Sequence, residues 1–144
     1  MTRVPIEPMG SNVRKTNSGA GRVLVAVYGI FALAATARAS VQLLTKFEQA
    51  PLAYLLSALA GVIYIVATIT LARGTRASRR LALIAIIIEL VGVVSVGTLS
   101  VLNPEAFPRA TVWSSYGIGY GFVPLALPIV GLAWLWRTRP VSPR

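Results

Sequence analysis

"RRLALIAIIIELVGVVSVGTLS", residues 79–100, opens on two arginines and then stays apolar. About 20 such residues cross a hydrocarbon core of about 30 Å, so the stretch reads as a membrane-spanning helix. One residue does not fit. Glu89 stands in the middle of the run, about 12–14 Å from the start of the helix at 1.5 Å per residue. That is close to the bilayer midplane, too deep for so short a side chain to reach water. An acidic group there costs about 2.5–3.5 kcal/mol against lipid, so Glu89 is expected to face protein or a water-filled space.

The rest of the chain reads the same way. Of its 144 residues 56% are hydrophobic and only 12% charged, with a mean hydropathy of +0.72. That leaves too little charge to coat a soluble domain of this size. The net charge of +10 does not point to nucleic acid, because the basic residues sit in short segments between apolar runs. Eleven of them (Arg3, Arg14, Lys15, Arg22, Arg73, Arg76, Arg79, Arg80, Arg137, Arg139, Arg144) fall on one side of the expected topology. Three (Arg38, Lys46, Arg109) fall on the other. The positive-inside rule then places both termini in the cytoplasm. Trp134 and Trp136 are expected in an inner aromatic belt, with Trp113 and Tyr116 at the outer interface.

The sequence contains no Cys and no His, and its four acidic residues are all Glu. These absences argue against thiol redox chemistry, Cys/His zinc sites, histidine-held haem and triads built on His or Cys. A multi-carboxylate metal site lacks ligands as well. The expectation is a non-enzymatic protein with no catalytic residues, metal or cofactor.

The fold expected is an all-α membrane protein, four transmembrane helices in an up-down bundle. Residues 1–21 read as a disordered cytoplasmic tail, rich in Pro, Gly, Ser and Asn. Residues 22–138 form the membrane domain, with helices over about 22–45, 51–73, 80–102 and 117–137, and 139–144 is a second tail. A competing reading takes the apolar core from Val23 to Ala35, followed by Ala37–Ala39, as a cleavable signal peptide. The long basic segment before it and Arg38 inside the cleavage site favour a retained helix. The connection 103–116, "NPEAFPRATVWSSY", reads as an interfacial connector, with a short lid or docking surface as the alternative.

What faces Glu89 follows from helical periodicity. Ala82, Ala85, Glu89, Gly92, Val96 and Ser100 share one stripe, and small residues around a polar one mark a helix–helix face. Ser57, Gly61, Tyr64 and Thr68 form a matching line on the second helix, and Tyr28, Ala32, Ala35, Ala39 and Gln42 one on the first. Tyr64 falls within a turn of the depth of Glu89. A Glu89–Tyr64 hydrogen bond, with Tyr28 or Thr68 nearby, is the simplest partnership. Two roles stay open for Glu89: a neutral acid that ties the bundle together, or a titrating group in a proton- or cation-coupled pathway. Arg38 lies about 10 Å nearer the outside and is expected to pair with Glu48, Glu105 or loop carbonyls.

"GIGYGF", residues 117–122, has neither the spacing nor the preceding strand of a dinucleotide-binding loop. It shares "GYG" with potassium-channel filters, yet too few residues precede it for a pore helix. Gly117 and Gly121 therefore read as a GxxxG helix-packing pair, alongside Gly61 and Gly92. Pro124 and Pro128 are expected to kink the fourth helix.

"FEQAPLAYLLSALAGVIYIVATITLARG" (47–74), "IELVGVVSVGTLSVLNPEAFP" (88–108) and "ATVWSSYGIGYGFVPLALPIVGL" (110–132) together resemble the small four-helix integral membrane proteins of actinobacteria that carry no assigned function. The resemblance covers roughly residues 22–138 and implies four spans and a plasma-membrane location. It implies no activity and no functional residues. The function expected is a non-enzymatic accessory or scaffolding subunit in the lipid bilayer, packing against itself as a homo-oligomer or against a larger membrane complex. A small coupled transporter with Glu89 as its titrating carboxylate is the alternative.

Overall fold

The structure, a computed structural model, describes residues 9–138, with side chains from residue 19 onward. Four helices, α1 (Met9–Thr45), α2 (Pro51–Arg73), α3 (Arg76–Leu102) and α4 (Val123–Arg137), follow one another up and down. Three short 3₁₀ turns, Phe47–Gln49, Pro104–Ala106 and Ser114–Tyr120, lie in the connections. Among the described residues there is no strand. Each helix packs on the next, while α1 barely meets α4. The end carrying the α2–α3 connection is the turn end here, and the end carrying the α1–α2 and α3–α4 connections is the loop end.

The outward faces carry Ile30, Leu33, Leu59, Val62, Ile84, Ile88 and Val91, all exposed, and the inward faces carry Tyr, Ala, Gly, Ser and Glu89. This inversion of the soluble pattern suits lipid, which costs an apolar side chain nothing. By length and composition, α1 (over Gly19–Thr45), α2 and α3 can each cross a bilayer. The Ser114–Tyr120 turn and α4 together make up to a fourth crossing, bent by 98°. The chain is an all-α membrane protein.

Local chemistry explains the helix ends. Pro51 occupies the first turn of α2, where its missing N–H costs no hydrogen bond. Gly74 ends α2 in the left-handed conformation, φ +71°. Thr75 then caps α3, its Oγ1 accepting the Ser78 N–H at 3.1 Å. This cap starts α3 at Arg76, one turn earlier than periodicity alone predicts. At the other terminus α1 begins at Met9 and runs through the segment read as a disordered tail. The prolines of that region, Pro5 and Pro8, lie ahead of Met9, so none interrupts the helix after it. Residues 1–8 and the tail 139–144 lie outside the described residues.

The fourth helix departs most from expectation. It begins at Val123 rather than at residue 117, because Ser115, Tyr116, Gly117, Gly121 and Phe122 all take positive φ (49°, 61°, 86°, 64° and 62°). A right-handed helix cannot pass through such a run. Pro124 consequently sits in the first turn of α4 and starts the helix instead of kinking it, leaving Pro128 as the proline inside. Gly117 and Gly121 are turn glycines, not a GxxxG face. A Cβ on Gly117 would come within 2.6 Å of the Pro124 ring. With 15 residues, α4 is about 22 Å long, short of a full hydrocarbon core.

Candidate functional site, a buried carboxyl beneath an inserted tryptophan

The segment before α4 folds back into the bundle. Its backbone is pinned to the end of α3, where the Ser115 N–H donates to Ser100 Oγ at 2.8 Å. The Tyr116 and Thr98 hydroxyls bond each other at 2.8 Å. Thr111 and Ser114 close a local turn, with Ser114 Oγ accepting the Thr111 N–H at 2.8 Å and Thr111 Oγ1 accepting the Trp113 N–H at 3.0 Å. This turn drives Trp113 inward until only 1% of it is exposed. Trp113 is thus not an interfacial anchor. Its ring fills the space over Gly92, where a Cβ would come within 2.6 Å of it, and its Nε1–H donates to the Tyr64 hydroxyl at 3.0 Å.

Glu89 lies deeper, with no exposed surface. Tyr28 on α1 donates its hydroxyl to Glu89 Oε1 at 2.7 Å. Oε2 is buried and has no hydrogen-bond partner among the described residues. The expected Glu89–Tyr64 bond is therefore replaced by Glu89–Tyr28, while the Tyr64 hydroxyl oxygen accepts from Trp113. Thr68 is not part of the group. Its hydroxyl donates back to the Tyr64 carbonyl at 2.6 Å, and its methyl lies toward Gly29 of α1.

Glycines set the close approaches around this cluster. At Gly61 a Cβ would fall 2.9 Å from Thr36 Oγ1 and 3.4 Å from the Thr36 backbone, so α1 and α2 meet closely there, as a helix-packing glycine implies. Gly92 instead admits an aromatic ring from a loop. Gly131 of α4 was not singled out by the sequence reading. A Cβ there would reach 3.1 Å from Ile86 Cδ1 and 3.3 Å from the Tyr28 hydroxyl, so α4 closes over the carboxyl cluster. The signal for Trp113 was weakly visible. Two aromatics three residues apart, Trp113 and Tyr116, match two glycines five apart on α3, Gly92 and Gly97.

Aromatic contacts lead from this cluster toward the loop end. The rings of Tyr28 and Tyr64 lie 6.2 Å apart, Tyr64 and Phe31 5.8 Å, and Phe31 and Tyr120 5.7 Å. Tyr120 in turn accepts a hydrogen bond from the Arg38 guanidinium. Arg38 thus binds a tyrosine rather than Glu48, Glu105 or a loop carbonyl. The "GIGYGF" carbonyls do not form a filter. Those of Gly117 and Ile118 accept the Phe122 and Gly121 N–H groups at 3.0 and 3.2 Å.

Chemically, the cluster can hold a proton on Glu89 and bind α1 to α3. Among the described residues no group of three or more His, Cys, Asp or Glu could hold a metal. No protein-family model, curated protein or solved structure matches this chain.

Proposed function

We propose that the chain is a small non-enzymatic protein of the plasma membrane, an accessory or scaffolding subunit that packs against a second copy of itself or a larger membrane complex. The observation that supports this reading is the uncovered face of α1. Only 28% of its apolar stretch is buried, against 44% for α2 and 39% for α3. Ala26, Ala34 and Ala37 lie exposed on that face, in line with Ile30 and Val41. Small side chains on an exposed membrane helix permit close approach of another helix. The stripes that first suggested a partner do not serve it, since Ala32, Ala35, Ala39, Ala82 and Ala85 are buried within the chain. The basic-residue asymmetry supports cytoplasmic termini.

The natural sequence has no cysteine, so single cysteines report cleanly. Ala34→Cys in membranes treated with a short thiol crosslinker should give a dimer or a heavier adduct. Val91→Cys, exposed on α3, should not. Equal yields from both positions, or none from Ala34→Cys, would refute the reading.

A second reading is favoured by one specific observation. Among the described residues Glu89 Oε2 is buried without a partner, beside a fourth segment that is broken rather than continuous. Intramembrane carboxyls and interrupted helices recur in coupled transporters. On this reading Glu89 is the titrating group of a small proton- or cation-coupled carrier, and Glu89→Gln abolishes flux with the fold intact.

A further inference from the structure

A cleft of about 370 Å³ opens at the loop end between α1 and the Ser114–Tyr120 turn. Arg38, Ala110, Thr111, Ser114, Ser115 and Tyr120 are among the residues that line it. Its composition is unlike the lipid-facing surface elsewhere, with one permanent cation and four hydroxyl-bearing side chains around one space. Arg38 stands about 10 Å before the end of α1, inside the apolar span rather than beyond it. Its one described bond is to Tyr120, and among the described residues no carboxylate pairs with it. A guanidinium has five N–H donors, so most of this fork stays free to bind.

Two features hold the cleft open. Tyr120 fixes one edge of the guanidinium through its hydroxyl and is itself braced against Phe31. The backbone at Ser115 and Tyr116 stays in the left-handed region, at φ 49° and 61°, and is held there by Ser100 and Thr98 of α3. Non-glycine residues persist there only where surrounding contacts impose it. Ser115 thus turns along the cleft wall with its N–H already satisfied.

We propose that this cleft binds a phosphate-type oxyanion on the Arg38 fork, with the hydroxyl groups of its wall as further donors. Guanidinium and phosphate match in geometry and charge, and the pairing is strongest away from bulk water. An anionic phospholipid headgroup and a free phosphate present the same chemistry. Exposed Ile118 lines the cleft, an apolar surface on which an acyl chain can lie.

The test uses the full chain purified in a maltoside detergent. Native mass spectrometry compares binding of dioleoylphosphatidylglycerol with that of dioleoylglycerol, which has the same tails and no phosphate. Thermal unfolding is followed with inorganic phosphate. If a lipid headgroup is the ligand, phosphatidylglycerol binds about tenfold tighter than the diacylglycerol or better, and Arg38→Gln removes that preference. If a soluble anion is the ligand, inorganic phosphate raises the unfolding temperature of the wild type and not of Arg38→Gln. Ile118→Trp changes an exposed residue and fills the cleft mouth, so it should produce the same loss if Arg38→Gln does not fold. No preference for either phosphate source over its control overturns the proposal. So does unchanged binding in Arg38→Gln or, where that variant fails to fold, in Ile118→Trp.

Discussion

Substituting Gly92 by alanine tests whether a loop tryptophan, rather than a neighbouring helix, fills the middle of the bundle. The new Cβ would stand 2.6 Å from Trp113 Cζ3 and 2.8 Å from Cη2. A rigid indole cannot yield there by turning a flexible tail, so it must retreat. Overpacking of this kind costs about 1–3 kcal/mol. Loss of the Trp113–Tyr64 hydrogen bond adds about 0.6–2 kcal/mol. Replacing glycine in a helix returns up to about 1 kcal/mol, leaving a net destabilisation of about 1–4 kcal/mol. The assay is unfolding by sodium dodecyl sulfate in mixed micelles, followed by Trp113 fluorescence in a Trp134→Phe, Trp136→Phe background. Gly119→Ala is the control, because nothing lies within 4 Å of a Cβ there. Gly92→Ala should shift the unfolding midpoint down and open Trp113 to aqueous quenchers. If Gly92→Ala matches Gly119→Ala in both respects, Trp113 does not occupy this site.

The Tyr28–Glu89 bond should appear as a coupling energy of about 0.6–2 kcal/mol in a double-mutant cycle of Tyr28→Phe and Glu89→Leu, measured by the same unfolding assay. Glu89→Gln keeps an acceptor for the Tyr28 hydroxyl and should stay within about 0.5 kcal/mol of the wild type, whichever functional reading holds. A loss of several kcal/mol would mean that Glu89 carries a charge the fold depends on. Topology is checked with exposed positions at opposite ends of α3. Glu105→Cys should react with an impermeant maleimide in intact cells, and Ala77→Cys only after permeabilisation. Reaction of both in intact cells would overturn the orientation.

Much of this protein was determined one residue at a time. Apolar length alone decides that α1, α2 and α3 can cross a membrane, because a bilayer demands a fixed run of side chains whatever their neighbours are. Pro51, Gly74 and Thr75 mark helix ends through their own backbone and side-chain chemistry. The cost of a carboxyl in lipid was enough to place Glu89 inside. Partnership was not decided at that level. Tyr28 and Tyr64 both reach the layer of Glu89. The fold decides between them: Tyr28 donates to the acid, while the Tyr64 hydroxyl oxygen accepts from Trp113. That insertion depends on contacts between residues far apart in the chain, from Ser115 to Ser100 and from Trp113 to Gly92. The same contacts hold residues 115–117 in left-handed backbone and delay α4 to Val123, although helical periodicity alone runs through them. Periodicity reports which residues share a face. It carries no information on whether a helix, a loop or lipid lies against that face, and only the folded chain supplies it.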